Sequence, residues 1–233
     1  MRVLPTGELA AAVAAWIAAL VAESIAERGT CALVLSGGNT PRPVYEALAA
    51  APFAAAVDWP RVDVFFGDER AVPPDHPDSN YRMAARALLE KVRIEPARIH
   101  RMQADRPDRD AAARDYERLL PLRLDVVLLG MGPDGHTASL FPGSAALTER
   151  SRRVVTVVAP RPPAERMTVT PPVIAGARYV AVVVAGAEKA EMVARALTGP
   201  LTPWEVPVQV APGAFWFLDQ AAASRLAPRG GGA

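Results

Sequence analysis

The stretch from Leu124 to Gly143 reads LDVVLLGMGPDGHTASLFPG and decides the prediction of the fold. Its first part, Leu124–Leu129, is an apolar run, and a glycine-dense turn that carries His136 follows directly. The hydrophobicity is continuous rather than alternating, which is typical of a strand covered on both faces. We therefore predict an interior strand of a parallel sheet, with the turn at its carboxyl end.

Similar apolar runs recur along the chain. We predict further strands at Cys31–Leu35, Val62–Phe66, Val154–Val158, Tyr179–Ala185 and Phe215–Leu218. Segments rich in Ala, Leu, Glu and Arg separate them, and we predict helices at Pro43–Ala50, Asn80–Lys91, Arg109–Leu119 and Glu188–Leu197. This alternation predicts an α/β fold, a three-layer sandwich whose mainly parallel, Rossmann-like sheet is covered by helices on both faces.

The Ala-rich segment Leu9–Ala22 is predicted to be the first helix. Acidic residues bracket it and it is too short to cross a bilayer, so we do not interpret it as a signal sequence or a membrane span. Thr6 is expected to cap the N-terminus of this helix, and Arg28 with Gly29 is a typical C-terminal signal.

We predict a single domain over residues 1–227, because the sequence contains no linker long enough to divide it. The Pro-rich stretch Pro160–Pro172 is expected to be a functional loop rather than a hinge. Residues 228–233 contain three consecutive glycines and are predicted to be a disordered tail.

The composition excludes several classes of protein. Hydrophobic residues at 51% and charged residues at 22% are ordinary for a folded chain. The 26 Lys and Arg residues nearly balance the 25 Asp and Glu residues, so we expect no nucleic-acid and no membrane partner. Cys31 is the single cysteine, which leaves no internal disulfide and favours a reducing, cytoplasmic setting. We expect a monomer or a weak homo-oligomer.

Ligands of an open parallel sheet bind beyond the carboxyl ends of its strands, so the loops after the predicted strands are informative. The first such loop contains two glycines that let backbone amides approach a ligand, and a helix with Pro41 at its start follows. Free amides at a helix N-terminus suit a phosphate, although an ordinary tight turn is the alternative. The candidate phosphate residues are Ser36, Gly37, Gly38, Asn39 and Thr40.

The second loop carries Asp68, Glu69 and Arg70 directly after a predicted strand and Gly67. In extended backbone the two carboxylates point in opposite directions, so they are poorly placed to share a metal ion. We expect one of them to face the site. The alternative is a solvated charge cluster.

The third loop contains G-x-G-x-x-G from Gly130 to Gly135, which is the dinucleotide-binding fingerprint. That fingerprint needs a long helix at its third glycine and an acidic residue at the end of the next strand. Here Pro142 and Gly143 stop any helix within two turns, and Glu149 precedes the next predicted strand. We therefore predict no NAD site.

His136 lies in this turn, two residues after Asp134. A lone histidine is more often a structural residue, but a glycine-dense turn at a strand end can present an imidazole to a ligand. His76 and His100 lack a comparable setting, and we expect them to be surface or packing residues.

Three segments together resemble the 6-phosphogluconolactonase family in order and spacing: Ser36–Pro41, Gly67–Arg70 with Asp78–Tyr81, and Gly130–Pro142. Arg166–Thr170 and Gly186–Ala190 are weaker matches. The resemblance implies hydrolysis of 6-phosphogluconolactone to 6-phosphogluconate, with His136 as general base and Asp68 or Asp134 assisting. It also implies phosphate contacts from Arg166 and Lys189, beside Arg70, and no metal or organic cofactor. No G-x-S-x-G motif is present in the sequence, so we expect direct attack by water.

Two alternatives stay open at this point. Glucosamine-6-phosphate deaminase is a relative with a similar turn, but its pattern has a glutamate five residues after the histidine, where this chain has Phe141. A phenyl ring cannot transfer a proton, and Arg70 replaces a tyrosine of the deaminase pattern, which also favours the lactonase. The second alternative is a non-catalytic sugar-phosphate-binding module, although no helix-turn-helix extension is evident in the sequence.

Overall fold

The computed structural model describes residues 1–226. Its main sheet contains β1 (Arg2–Leu4), β2 (Cys31–Leu35), β3 (Val62–Phe66), β5 (Val126–Gly130), β8 (Tyr179–Val184) and β9 (Phe215–Asp219). The strand order is β1-β9-β8-β5-β2-β3, and every neighbouring pair is parallel. All five residues of β2 and the first four of β5 are buried, as the continuous apolar runs predict. The predicted α/β fold with a mainly parallel sheet is confirmed.

The centre of the sheet is its switch point. From β2 the chain continues to β3 on one side, whereas β5, β8 and β9 extend the sheet on the other side. The loops after β2 and β5 therefore diverge from adjacent strands and leave a crevice between them, which is where ligands of such sheets bind. This arrangement brings Ser36 and Met131, the first residues of those loops, to one edge of the sheet.

The helices surround this sheet: α1 (Thr6–Arg28), α2 (Pro41–Leu48), α3 (Phe53–Ala56), α4 (Asn80–Ala84), α5 (Arg109–Leu119), α6 (Pro171–Ala175) and α7 (Ala190–Thr198). Helix α1 packs against α2 and against β2, β5 and β9. The segment predicted as one helix at Asn80–Lys91 is instead α4 followed by a π-helical turn, Ala85–Leu89.

Helix α1 differs from the prediction at its start. Thr6 is the first helical residue rather than the cap, and its hydroxyl donates to Asp219 at 3.2 Å. The predicted C-terminal signal is confirmed, since Gly29 adopts φ +82° and its amide donates to Ile25. The expectation that this segment is too short to cross a bilayer is wrong, because the helix has 23 residues and is long and apolar enough by length and composition alone. One of its faces, with Val13, Ile17 and Val21, is buried inside the protein, as in a core helix.

A second, antiparallel sheet lies beside the main one and was not predicted, although the strand expected at Val154–Val158 as part of the main sheet belongs to it. It contains β4 (Asp68–Arg70), β6 (Val154–Val158) and β7 (Glu165–Val169), in the order β4-β7-β6. The prediction of a functional loop at Pro160–Pro172 is therefore wrong in part. This segment contains the β6–β7 turn, all of β7 and the start of α6. The predicted tail, residues 228–233, lies outside the described residues.

Candidate active site

A cavity of about 390 Å³ opens at the carboxyl edge of the main sheet, in the crevice between the loops after β2 and β5. It brings together ten of the predicted site residues: Ser36, Gly37, Gly38, Asn39, Thr40, Asp68, Arg70, His136, Arg166 and Lys189. Asp134 does not line the cavity, since it lies behind His136. The predicted residues thus converge on one site, although their roles stay predictions.

The loop after β2 has the properties of an anion cradle. The amides of Gly37, Gly38, Asn39 and Thr40 donate to no acceptor in residues 1–226, and the Ser36 hydroxyl is buried without a partner. Tyr45, in α2, fixes the base of the loop, because its hydroxyl accepts from the Ser36 amide at 2.8 Å and donates to the Ser36 carbonyl at 2.7 Å. Unpaired donors held in this way suit a phosphate.

Three cations of the cavity have no carboxylate partner within the described residues. Arg166 is only 7% exposed, and its Nε donates to the Pro163 carbonyl at 2.9 Å. Burial lowers the pKa of Arg166 and, in the same way, the pKa of Lys189. Arg70 donates to the Asp78 carbonyl at 2.5 Å, while its Nε is buried and unpaired. Because buried charges are normally paired, these cations predict an anionic ligand.

His136 is bound to Asp134. Its Nδ1 lies 2.5 Å from Oδ1 of Asp134, and its backbone amide donates to the same oxygen at 3.2 Å. Burial alone raises the pKa of Asp134, but the hydrogen bonds with His136 outweigh it, so that the pKa lies below its ordinary value. An ionised Asp134 accepts from Nδ1–H, which leaves the Nε2 lone pair free.

Glycines close the turn that presents this histidine. The Gly132 amide donates to the His136 carbonyl at 2.9 Å, and the Gly135 amide donates to the Gly132 carbonyl at 3.0 Å. These two amides are therefore engaged and cannot be the oxyanion donors that a glycine turn suggests. A Cβ on Gly132 would lie 2.1 Å from both Cε1 and Nδ1 of His136, so only glycine fits there. Ala138 also lines the cavity, and its φ of +47° is a strained conformation for a residue other than glycine.

Asp68 faces the cavity and is held from two sides. Its Oδ2 accepts from the Ser139 hydroxyl at 2.6 Å, and its Oδ1 accepts from Nδ2 of Asn80 at 3.0 Å. Glu69 points away and is buried, and it accepts from the Ser79 hydroxyl and from the amides of residues 70, 80 and 81. As expected from extended backbone, only one of the two carboxylates faces the cavity, while the other anchors the loop before α4.

Phe141 lies between the histidine and a cation. Its ring centroid is 4.8 Å from that of His136, and Cζ of Arg166 is 5.5 Å from the Phe141 ring. The ring thus separates the imidazole from the guanidinium and gives the latter a cation–π contact. No group that transfers a proton stands at this position.

Two residues of the site were not predicted from the sequence. Arg161, in the β6–β7 turn, lines the cavity, and its Nη2 is 3.8 Å from Oδ2 of Asp134. Ser139 binds Asp68, although neither the motif spacing nor its neighbours mark it for this role. The two histidines expected to be surface or packing residues lie elsewhere: His100 stacks on Phe65 and binds Asp63 at 3.1 Å, and His76 is half-buried and accepts from the Asp78 amide.

The chain is similar to known proteins over most of its length. A family model described as glucosamine-6-phosphate isomerases/6-phosphogluconolactonase matches residues 5–216. The chain is 42% identical to a rice (Oryza sativa) protein named probable 6-phosphogluconolactonase 4, chloroplastic, across 94% of this chain and 74% of that protein. It is 41% identical to the 6-phosphogluconolactonase of a Synechocystis species, across 89% and 90% of the two chains.

A solved structure of 6-phosphogluconolactonase from Trypanosoma brucei has the same fold, with a TM-score of 0.82 and 31% identity over 97% of this chain and 98% of that one. The family resemblance of the three loops is therefore confirmed by matches that extend over most of the sequence. The chain belongs to the glucosamine-6-phosphate isomerase/6-phosphogluconolactonase family.

Proposed function

We propose that this protein hydrolyses 6-phospho-D-glucono-1,5-lactone to 6-phospho-D-gluconate. The observation that carries the proposal is one cavity that holds both an anion cradle with unpaired cations and a histidine bound to an aspartate. The relatives that match most of the chain are named 6-phosphogluconolactonases. A phosphorylated lactone supplies the anion for the cradle and an acyl carbon for the histidine.

In this proposal His136 is the general base. Asp134 holds Nδ1–H, so Nε2 takes a proton from the water that attacks the acyl carbon, and the carbonyl oxygen becomes an oxyanion. The tetrahedral intermediate then collapses, the bond from the acyl carbon to the ring oxygen breaks, and the proton passes to that oxygen. The amide of Ala138 lines the same wall without an acceptor in residues 1–226, whereas Thr137 forms a β-bridge with Leu140, so Ala138 is our candidate oxyanion donor.

The phosphate has a separate role, which is to orient the ring. The Ser36–Thr40 loop, Arg166 and Lys189 hold it, and the remote binding fixes the acyl carbon relative to His136. Asp68, fixed by Ser139 and Asn80, is placed to accept from sugar hydroxyls. Arg70 and Arg161 add positive charge at the rim, which suits the carboxylate that hydrolysis creates.

The deaminase alternative is not favoured. A ring-opening deaminase needs an acid beside the histidine, and Phe141 occupies that place at 4.8 Å between ring centroids. The experiment that separates the activities is a parallel assay of the purified protein with fresh 6-phosphogluconolactone and with glucosamine 6-phosphate. We expect acid production above the spontaneous rate and no ammonia. Ammonia release would support the deaminase, and neither product would support a non-catalytic binding module.

Replacing Arg166 with glutamine is expected to raise KM for the lactone by about tenfold or more, because a charge-assisted bond to phosphate is lost. Lys189→Gln should act in the same direction, with kcat changed less than KM. The measurement is steady-state kinetics of both variants. Arg123→Gln is the matched control, since Arg123 lies at the opposite edge of the sheet and donates to the Gly176 carbonyl. An unchanged KM in Arg166→Gln would remove this residue from the phosphate site.

We further propose that the reaction is the second step of the oxidative pentose phosphate pathway and that the protein works in the cytoplasm as a monomer or weak homo-oligomer. The single cysteine supports the cytoplasmic setting, and the balanced charge supports the absence of nucleic-acid and membrane partners. The rice relative is named as chloroplastic, so fractionation of the source cells is the direct test of location. We propose no nucleic-acid or membrane partner.

A further inference from the structure

A second, smaller cavity of about 200 Å³ lies between α2 and the helix that begins at Asn80, outside the active site. Its wall contains Arg42 from the first turn of α2, and Arg82 and Arg86 from α4 and the π-helical turn that follows it. We call it the arginine cavity. Glu46 is the acidic residue of the wall.

The three guanidinium groups of the arginine cavity have no protein partner. Within residues 1–226 these side chains form no ion pair, and they donate no hydrogen bond to a carboxylate or a carbonyl. Most other described arginines have such a partner; Arg2 and Arg93 are the exceptions outside this cavity. Nε of Arg82 is moreover buried without an acceptor. Arg82 is half-buried, whereas Arg42 and Arg86 are exposed, so a bound anion can reach all three and supply the acceptor that the buried Nε lacks.

The backbone beneath these side chains concentrates the positive charge. Arg82 and Arg86 are four residues apart and share one helix face, where like charges repel. Arg42 lies in the first turn of α2, at the positive end of the helix dipole. The π-helical turn Ala85–Leu89, closed by the Glu90 amide donating to the Ala85 carbonyl at 3.0 Å, is a rare geometry that occurs often at functional sites.

We propose that the arginine cavity is a second anion site, which binds the phosphate group of a phosphorylated metabolite. Arginine forks match phosphate geometry, and three of them around one cavity compensate for Glu46. The cavity is smaller than the roughly 300–1,000 Å³ of pockets that enclose a whole small molecule, so it holds the phosphate group while the rest of the ligand lies in solvent. This site differs from the proposed catalytic phosphate site, which the Ser36–Thr40 loop, Arg166 and Lys189 form.

The two sites are close along the chain. Arg42 follows Pro41, which lines the active site, and Pro77 of the arginine cavity precedes Asp78, whose carbonyl accepts from Arg70. Ser79 caps α4 by accepting from the Arg82 amide at 3.1 Å and also donates to Glu69. Segments that adjoin one another in the sequence thus contribute to the walls of both cavities.

The test is a titration with inorganic pyrophosphate at low ionic strength. Binding is measured by calorimetry and by the ¹⁵N spectrum of the arginine Nε–H groups. The titration uses the wild type and an Arg166→Gln, Lys189→Gln double variant, in which the catalytic anion site is weakened, and the Arg82 resonance distinguishes the two sites. We expect saturable binding in both proteins, with a shift of the Arg82 Nε–H resonance. Loss of all binding in the double variant would overturn the proposal.

Matched variants separate a built site from general surface charge. In the double-variant background, adding Arg82→Gln should weaken pyrophosphate binding by about tenfold, as expected for a lost guanidinium–phosphate contact. Adding Arg93→Gln removes the same charge from an exposed position outside the cavity and should change the dissociation constant less than about twofold. Equal weakening by the two substitutions would contradict a specific site. Titration with glycerol 3-phosphate and with inorganic phosphate then shows whether an ester or the free ion binds more tightly.

Discussion

Replacing His136 with alanine is expected to lower kcat for 6-phosphogluconolactone by about a hundredfold or more, the usual effect of a lost general base. The reason is geometric: Nδ1 of His136 is engaged with Asp134 at 2.5 Å, so Nε2 is the basic atom that remains for water. KM should change little, because the groups proposed to hold the phosphate are on other loops. Steady-state kinetics with correction for spontaneous hydrolysis is the measurement.

His100→Ala is the control for this prediction. His100 also binds an aspartate, Asp63 at 3.1 Å, but lines a cavity at the opposite edge of the sheet. We expect the activity of His100→Ala per folded molecule to match that of the wild type. Turnover near the wild-type level in His136→Ala would show that another group takes the proton from water.

Replacing Gly132 with alanine is expected to reduce kcat by a similar factor although no reacting group is removed. The new Cβ would lie 2.1 Å from Nδ1 of His136 and 2.7 Å from Oδ1 of Asp134, so the imidazole and the carboxylate cannot keep their present positions. A misplacement of about 1 Å at a catalytic group is enough for about a hundredfold loss of rate. The measurement is kcat together with thermal unfolding, which should show a folded protein.

The matched control is Gly67→Ala, at the glycine that directly follows β3. A Cβ there meets only the Leu35 carbonyl at 3.7 Å and the Val34 side chain at 3.8 Å, which are ordinary contacts. We expect this variant to keep most of its activity. If Gly132→Ala were as active as Gly67→Ala, the rigid placement of His136 by its turn would be unnecessary for catalysis.

The main sheet was predictable because its strands are buried on both faces and so are continuously apolar. The second sheet was not, because β4 has three residues and all of them are charged, and because β7 begins with Glu165 and Arg166. Strands of that kind are defined by their partners rather than by their own hydrophobicity. The prediction of Thr6 as the cap was wrong because its hydroxyl donates to Asp219, a residue so distant in sequence that the contact could not be foreseen.

The site was predictable as a set of strand-end loops, since parallel strands bring their carboxyl ends to one edge. What the sequence did not reveal are the contacts that depend on turn geometry. Spacing left open whether Asp68 or Asp134 assists His136, and the structure places Asp134 against the imidazole while Ser139 and Asn80 bind Asp68. Arg161 was missed because its turn lies between strands of the unpredicted sheet.

The proposed function is tested by comparing 6-phosphogluconolactone with unphosphorylated glucono-1,5-lactone as substrates of the wild-type protein. We expect hydrolysis of the phosphorylated lactone well above its spontaneous rate. We expect kcat/KM to be at least about a hundredfold lower without the phosphate, because the contacts that orient the ring are lost. Hydrolysis of 6-phosphogluconolactone no faster than in protein-free buffer would contradict the proposed function, and equal kcat/KM for the two lactones would contradict the role of the phosphate cradle.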